Sequence, residues 1–498
     1  MVFTVQKLRN SLKALSETTE GPAHVLSPVY SLAAAGPMVI PSPTDAQWQP
    51  VEVGLPWGLE HGTSWLMTPL QAPTSMQGLP LVLQLHWDTP GDDSLLLRLE
   101  ATVFLDGRAI GAFDWKHPVL LLPEEACDGQ SHTLMLQVYT GVPLPFGGLT
   151  LRPRRMVNWQ LYHLMQTLLE VHLALNEGDP ARNALLARLD TAYNMLDLRE
   201  GWQGERFADS AQAAYEYLLK EYPTINRGST VEGRFIADGN RPQITASGHA
   251  HLDIGWMWPY WRTRQKIAHT VSNVLGLMER YPDYHYSQSQ PQMLQWLKED
   301  VPELYAGVKQ RVTEGRFEPV GAMWIEADCN LTSGESLIRQ IMHGTRFWQQ
   351  EFGVKPRQIW LPDVFGYSAA LPQIMRGCNI PTFMTTKISW NQFNRMPCDT
   401  FRWRGIDGSE VLTHFITAPS QDAKTTFYSY NGPLQPSDMT GTWMNYRQQD
   451  INDHLLYLHG WGDGGGGPTE EQMERMQIMA DLPDFPQVRA GRAEDYFT

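Results

Sequence analysis

Cysteine is scarce in this 498-residue sequence, and its four copies lie far apart. Cys127, Cys329, Cys378 and Cys398 form no C-x-x-C pair, so neither a disulfide framework nor a structural zinc knuckle is indicated. Unpaired thiols are typical of proteins from a reducing compartment. The spacing therefore favours free thiols.

Long apolar runs and basic stretches are also missing. No segment is apolar and long enough to cross a membrane, and the first twenty residues lack the apolar core and cleavage site of a secretory signal. The formal net charge is −15, and no run of Lys or Arg could follow a phosphate backbone. We therefore expect a cytoplasmic protein that binds neither nucleic acid nor a membrane.

The length and the changes of pattern along the chain predict several folding units. Residues 50–143 contain short apolar strands separated by turn sequences such as TPGDD and DGR, which is typical of a β-sandwich. From Met156 to about Tyr222, apolar residues recur at helical spacing. We predict a β-sandwich N-terminal domain in residues 1–150 and a small helical linker domain in residues 151–235.

From about residue 241 onward, strand-like and helical segments alternate. The strand-like segments include PQITASGH, RFEPVGAMWIE, QIWLPD and PTFMTTK. This alternation predicts βα units and a largely parallel sheet, either open or closed as a barrel. Polar clusters follow the strands at residues 249–253, 326–328, 363 and 387. Because such strands end on one rim, we expect these clusters to line one pocket.

The first cluster has the pattern His249-x-His251-x-Asp253. Residues two apart in an extended segment point to the same side, so an imidazole and a carboxylate can converge on one cation. The alternative is that these polar residues cap the next helix. Three such residues at a period of two favour a metal site, although the spacing does not choose the metal.

Two further segments carry carboxylates suited to chemistry. Asp363 ends the apolar strand in IWLPDVFGYS, where it could be a nucleophile, a metal ligand or a helix N-cap. Asp463 is the only acid in the loop HGWGDGGGGPT, whose glycines allow close approach to a ligand. The loop lacks the G-x-x-x-x-G-K-[ST] pattern of a phosphate-binding loop, so a catalytic loop is preferred.

Seven ordered segments from residue 249 to about residue 497 closely resemble glycoside hydrolase family 38, the α-mannosidases. They are GHAHLDIGW, YSQSQPQMLQWL, VGAMWIEADCNLTSGESLIRQ, WLPDVFGYSAALPQI, TTKISWNQFN, TFRWRGIDG and HGWGDGGGGPT. The resemblance implies a seven-stranded, barrel-like α/β catalytic domain in residues 240–498. The glycine-rich loop and the regions before the barrel resemble the cytosolic or vacuolar subgroup, which acts on free oligosaccharides.

The resemblance also implies the chemistry. The family's enzymes are zinc-assisted retaining hydrolases that release terminal α-linked mannose from oligosaccharides. The second His and the Asp of the first motif bind zinc in the family, which corresponds to His251 and Asp253. The Asp of the W-x-x-D-x-F-G-[HY]-S motif both binds zinc and attacks the anomeric carbon, which corresponds to Asp363. Another divalent ion is the alternative to zinc.

Further roles follow from the same resemblance. Asp463 corresponds to the general acid/base, at a position where the motif differs between subgroups. Trp256, Lys387 and Trp390 correspond to residues that contact the sugar. The family's remaining zinc ligand is a His from the helical domain after the barrel, and no matching motif precedes Thr498. We therefore expect the N-terminal portion of a longer protein, ending before the family's helical and C-terminal β domains.

Two other functions stay open on the residues themselves. A metal-dependent amidohydrolase or deacetylase on a barrel also has H-x-H on its first strand, but it needs further His at later strand ends, where this chain has Asp363 and Lys387. A non-catalytic glycan-binding fragment is the second alternative, because the predicted β-sandwich could bind sugar. Assembly as a homo-oligomer is left open by the sequence.

Overall fold

The computed structural model describes residues 2–34, 36, 38–87, 99–224, 241–420, 425, 427–462, 464–480, 482 and 485–498. The elements up to residue 224 are α1 (Val2–Ser16), β1 (His24–Val25), β2 (Tyr30–Ala33), β3 (Gln49–Pro50), β4 (Pro56–Trp57), β5 (Gly62–Leu70), β6 (Leu81–Trp87), β7 (Glu100–Leu105), β8 (Arg108–Phe113), β9 (Leu120–Leu121), β10 (His132–Thr140), β11 (Leu144–Pro153), α2 (Met156–Ala174), α3 (Pro180–Met195) and α4 (Glu205–Glu221).

The elements after residue 240 are β12 (Gln243–Gly248), α5 (Tyr260–Arg280), β13 (Tyr286–Gln288), α6 (Pro291–Asp300), α7 (Pro302–Thr313), β14 (Phe317–Pro319), α8 (Gly334–Phe352), β15 (Gln358–Leu361), α9 (Leu371–Gly377), β16 (Thr382–Thr385), β17 (Thr400–Arg404), β18 (Glu410–Phe415), α10 (Pro436–Asn445), β19 (His454–His459), α11 (Glu470–Ala480), β20 (Gln487–Ala490) and α12 (Ala493–Phe497). In the described parts of the chain, no helix combines the length and the apolar character needed to cross a bilayer.

Two antiparallel sheets occupy the region before α2. The first has the strand order β1-β11-β6-β9, with β4 also on β11, and the second has the order β3-β2-β5-β10-β7-β8. Alternate residues of β6 (Leu81, Leu83 and Leu85) are buried in one apolar cluster with Leu66 and Val103 of the second sheet. This period of two places one face of each sheet against the shared core.

The helices before β12 pack together, and α2 also packs against α10 and α11 of the α/β region. Leu8 of α1 is buried in the same apolar cluster as Leu161 and Leu168 of α2. That cluster continues to Ile244 of β12 and Leu456 of β19, so it joins the helices to the α/β region. In β19 the residues Leu455, Leu456, Tyr457 and Leu458 are all buried, which agrees with a strand covered on both faces.

The α/β region forms two sheets. One has the order β14-β13-β12-β19, all parallel, with β20 also paired to β12; the other has the order β15-β16-β18-β17, in which only β17 is antiparallel. The predicted α/β character is confirmed. Within the described residues the strands do not form a closed barrel, because no strand of one sheet pairs with a strand of the other. Ala322 N donates to Gln358 O (2.9 Å) where the two sheets approach each other.

Candidate active site and metal centre

The carboxyl ends of β12, β13 and β19 lie at one edge of their sheet. Gly248, the last residue of β12, is the parallel partner of Tyr286 in β13 and of His459 in β19. The segments that leave β12 and β19 therefore begin at the same level, and β13 continues two residues beyond it, to Gln288. This is the edge at which parallel sheets commonly carry their sites.

His251, Asp253 and Asp363 face one another at this edge. Their potential ligand atoms all lie within 4.8 Å of one another. His251 Nε2 is 3.4 Å from Asp253 Oδ1 and 3.7 Å from Asp363 Oδ2. The imidazole is buried, whereas the side chains of the two aspartates are 27% and 25% exposed. The cluster is therefore open to solvent on its carboxylate side.

The spacing and chemistry of these three groups fit a divalent cation. Two N or O ligands about 2.1 Å from a tetrahedral zinc ion are about 3.4 Å apart, which is close to the distances between these side chains. His251 Nε2 is buried and has no hydrogen-bond partner among the described residues. A buried imidazole nitrogen beside two carboxylates is a typical donor set for zinc, and three protein ligands are typical of catalytic sites.

Glu326 is a residue of this centre to which the sequence assigned no role beyond its place at a strand end. Its Oε2 lies 2.7 Å from His251 Nδ1, and its Oε1 accepts a hydrogen bond from Ser289 Oγ (2.5 Å). A carboxylate beside one imidazole nitrogen fixes the ring orientation and makes the other nitrogen a better ligand. Glu326 thus directs His251 Nε2 toward the two aspartates.

Gln290 joins the His251 segment to the Glu326 segment. Its Nε2 donates to Leu252 O (2.8 Å), and its Oε1 accepts from Glu326 N (3.2 Å). The backbone of this buried residue has φ of +62°, in the left-handed region that non-glycine residues rarely adopt. Such strain is tolerated where the surrounding contacts determine the geometry, as they do beside this centre.

The two histidines of the first motif have different environments. Burial acts to lower the pKa of His251, but the carboxylates of Glu326 and Asp253 raise it well above its usual value. Burial lowers the pKa of His249 to about 4. The Nδ1 of His249 donates to Ser287 O (2.9 Å), and its ring packs edge-on against Trp360. His249 is therefore a neutral core residue, whereas the carboxylates around His251 favour a positive charge at that position.

Lys387 contacts the other oxygen of Asp363. Its Nζ is 2.6 Å from Asp363 Oδ1, while Oδ2 is the oxygen nearer to His251. The ammonium also lies 5.0 Å from the ring centroid of Trp390, whose indole N–H donates to Tyr428 O (2.8 Å). The ring of Trp390 is about half exposed. Lys387 is thus beside Asp363, and sugar binding by Lys387 and Trp390 remains a prediction.

Trp256 follows Asp253 by three residues and is 51% exposed. The preceding Gly255 has φ of +91°, and a Cβ at that position would come within 2.8 Å of the Tyr260 ring. The turn therefore requires glycine. The Trp256 ring packs edge-on against Trp258, at 5.3 Å between centroids. An exposed indole of this kind suits stacking on a sugar ring, which also remains a prediction.

The glycine-rich loop after β19 lies directly on the backbone of the first motif. A Cβ at Gly460 would come within 2.2 Å of His249 O, and one at Gly462 would come within 2.9 Å of His251 O. Only glycine permits these approaches. The loop therefore adjoins the segment that carries the candidate metal ligands His251 and Asp253. Asp463 lies outside the described residues, so its role as the acid/base stays a prediction.

Comparison with known families identifies the chain. The domain family "Glycosyl hydrolases family 38 N-terminal domain" matches residues 241–498, which make up just over half of the sequence. The chain belongs to glycosyl hydrolase family 38. This confirms the resemblance that the sequence motifs carry, and the matched region contains every residue of the centre described above.

Three curated relatives of this family 38 chain are named as α-mannosidases. Alpha-mannosidase 2C1 of Homo sapiens is 32% identical over 471 residues, which cover 91% of this chain and 42% of the relative. Alpha-mannosidase G of Dictyostelium discoideum is 42% identical over 258 residues, 52% of this chain and 23% of the relative. The alpha-mannosidase of Saccharomyces cerevisiae is 39% identical over 298 residues, 58% of this chain and 26% of the relative. This family 38 chain thus spans from about a quarter to about two-fifths of the length of these relatives.

Glu326→Gln in this family 38 chain is expected to weaken zinc binding about 10- to 100-fold. The amide fills the same space but presents no charged acceptor to His251 Nδ1. Titration calorimetry with zinc measures the change. The matched control is Glu335→Gln, because Glu335 is an exposed residue of α8 that pairs only locally with Arg339 (2.8 Å). Unchanged zinc affinity of Glu326→Gln would contradict the orienting role.

Proposed function

We propose that this chain carries the catalytic centre of a zinc-assisted, retaining α-mannosidase that releases terminal α-linked mannose from oligosaccharides. The observation that carries the proposal is the environment of Asp363, whose Oδ1 faces Lys387 and whose Oδ2 faces His251. One carboxylate can therefore serve both the metal and the reacting sugar. The names of the curated relatives support mannosides as the substrate class.

In the proposed reaction, the Asp363 carboxylate attacks C1 of the terminal mannose while the glycosidic bond breaks. Asp463 gives a proton to the departing oxygen. It then takes a proton from the water that cleaves the mannosyl ester of Asp363. Two successive displacements at C1 restore the original anomeric configuration. Lys387 orients the Asp363 carboxylate through their ion pair, and the exposed ring of Trp256 packs against the sugar.

His251, Asp253 and Asp363 would hold the metal, for which zinc is the proposed identity. When bound, the cation would bind sugar hydroxyls and so orient and distort the mannose, rather than generate a hydroxide nucleophile. Glu326 and Gln290 contribute by keeping His251 and its backbone in place. One imidazole with two carboxylates also accepts other divalent ions, so metal analysis of the purified protein decides the identity.

The proposal is tested with an aryl α-mannoside and product analysis by NMR. The full-length protein with zinc is expected to hydrolyse 4-nitrophenyl α-mannoside, to release α-mannose as the first-formed anomer and to leave N-acetylated sugars intact. Hydrolysis of the N-acetylated substrates alone would instead support a metal-dependent amidohydrolase. Mannose binding without turnover would support a glycan-binding fragment.

The proposal extends to the domain organisation and the location. We propose a β-sandwich domain in residues 1–150, a helical linker domain in residues 151–235 and the catalytic α/β domain in residues 240–498. Two sheets over a common apolar core support the first unit, and the joint packing of α2, α3 and α4 supports the second. The four free cysteines support a cytoplasmic location.

A further inference from the structure

Charged side chains are buried where the N-terminal sheets meet α5 and the glycine-rich loop. Each of these side chains is at most 12% exposed. They are Glu100, Asp114 and His117 from the N-terminal region and Arg262, Lys266 and His269 from α5. Buried charges are costly unless they are paired, so their positions are closely determined by one another.

The ion pairs of this cluster attach α5 to the N-terminal region. Glu100 lies 2.5 Å from Lys266 Nζ and 2.6 Å from the Arg262 guanidinium. Asp114 Oδ2 lies 2.9 Å from His269 Nε2. The N-terminal region is therefore joined through charged contacts to the helix that follows the metal-binding motif.

Two residues of this cluster, Lys266 and His117, and the neighbouring Thr270 of α5 bind the backbone of the glycine-rich loop. Lys266 Nζ donates to Gly464 O (3.0 Å), and Gly466 N donates to Thr270 Oγ1 (3.2 Å). His117 Nε2 lies 3.0 Å from Pro468 O. A Cβ at Gly466 would come within 2.3 Å of Asp114 Oδ2, so the loop backbone lies directly against the N-terminal region. The glycines are required for this contact as well as for the contact with the metal motif.

Both ring nitrogens of His117 face hydrogen-bond acceptors. Nδ1 is 2.9 Å from Asp114 Oδ2, and Nε2 is 3.0 Å from Pro468 O. A neutral imidazole carries one N–H, so the two hydrogen bonds together require the protonated ring. Burial opposes this charge, but Asp114 raises the pKa of His117 above its usual value. Asp114 is itself fixed by the backbone N–H groups of Lys116 (2.6 Å) and His117 (2.8 Å).

The loop is also contacted near its first residues. Lys116 Nζ lies 3.7 Å from the ring centroid of Trp461 and 3.9 Å from that of Trp115. Trp461 precedes Gly462, whose close approach to His251 O was described above. The N-terminal region thus contacts the loop on both sides of residue 463.

We propose that His117 and Asp114 of the N-terminal region are positioning residues for the glycine-rich loop, and hence for the acid/base step. This inference rests on the proposed function, in which Asp463 is the acid/base. His117 binds Pro468 O at one end of the loop, and Asp114 keeps His117 protonated and in place. The N-terminal region is then part of the catalytic unit, although it contributes no ligand to the metal.

The protonation of His117 gives this arrangement a pH dependence. The described charged groups around His117 are Asp114 and Lys116 in its own segment, His269 and Lys266 on α5, and Glu100 on β7. Residues 464–468 of the loop are four glycines and Pro468, so they carry no titratable side chain. Because the folded-state pKa of His117 is raised, both hydrogen bonds of the ring are present at low pH, and one of them is lost as pH rises through that pKa. Loop exchange should then increase and kcat should fall on the alkaline side.

The test compares His117→Ala, His117→Gln and Asp114→Asn. In the full-length protein, His117→Ala is expected to lower kcat for 4-nitrophenyl α-mannoside about 10- to 100-fold with little change in KM, since small misplacements of catalytic groups have effects of this size. His117→Gln keeps one donor for Pro468 O, so its kcat should be higher than that of His117→Ala. Its kcat should also no longer fall on the alkaline side. Asp114→Asn should move that fall to lower pH.

Hydrogen–deuterium exchange of residues 460–468 tests the contact without activity. After correction for the intrinsic effect of pH, His117→Ala should speed exchange in this loop, and the wild type should show the same change only at alkaline pH. The matched control is His132→Ala, because His132 also pairs with two aspartates but lies on the surface away from the loop. Wild-type kcat and exchange in His117→Ala would overturn the inference. An inactive wild type whose loop still depends on His117 would instead refute only the proposed function.

Discussion

Asp363→Ala is expected to lower kcat for an aryl α-mannoside by about 10⁴-fold or more, because the variant loses the attacking carboxylate. The fold should be retained. Asp363 lies at the rim with its side chain 25% exposed, and its partner Lys387 is 29% exposed, so water can solvate the lysine left behind. The loss should therefore appear as lost catalysis rather than as lost folded protein.

Kinetics, thermal unfolding and mass spectrometry together check this expectation. Asp407→Ala is the matched control, because Asp407 is exposed, accepts from the backbone N–H of Ser409 in a turn and lies outside the centre. In the wild type, a 2-deoxy-2-fluoro mannosyl substrate should leave a sugar attached to the peptide that contains Asp363. Near-normal kcat in Asp363→Ala, or a sugar attached to another carboxylate, would contradict the assignment.

The proximity of His251, Asp253 and Asp363 could be predicted from the sequence, because it depends on a rule of strand geometry. Parallel strands end at one edge, so polar residues that follow different strands meet there. His251 and Asp253 follow β12, and Asp363 follows β15, more than a hundred residues later. The motif resemblance then selected His251 rather than His249, and the separate environments of the two rings agree with that choice.

Glu326 shows what the sequence could not provide. Glu326 and Asp328 follow the same strand, and both are acids at the predicted rim. In the structure Asp328 accepts from the backbone N–H groups of Asn330 and Leu331, whereas Glu326 turns toward His251. Which acid faces the centre depends on the path of the chain and on Gln290, which lies between β13 and α6 and accepts from Glu326 N.

The contacts between the N-terminal region and the glycine-rich loop could not be predicted from the sequence, for a related reason. His117 and Pro468 are 351 positions apart, and no local pattern reports a hydrogen bond at that separation. The barrel-like domain was implied by the family resemblance, whereas the alternation of strands and helices left the sheet either open or closed, because alternation does not specify how the last strands pair. The antiparallel β17 at the edge of β18 is the feature that the pattern did not reveal.

Asp253→Ala is expected to weaken zinc binding by more than about 100-fold, which exceeds the effect of altering a residue that only orients a ligand. The backbone should stay in place, since Thr263 Oγ1 donates to the backbone carbonyl of Asp253 (3.1 Å) and not to its carboxylate. Elemental analysis after dialysis measures the loss, and Asp253→Asn should give an intermediate value. Asp283→Ala, at an exposed position, is the matched control.

The two aspartate variants should also respond differently to added zinc. Asp253→Ala removes a ligand but keeps the attacking carboxylate, so excess zinc should restore part of its turnover by mass action. Asp363→Ala lacks both a metal ligand and the attacking carboxylate, so it should stay inactive at any zinc concentration. Full zinc content in Asp253→Ala would contradict its assignment as a ligand. Equal rescue of both variants would mean that Asp363 binds the metal and does not attack the sugar.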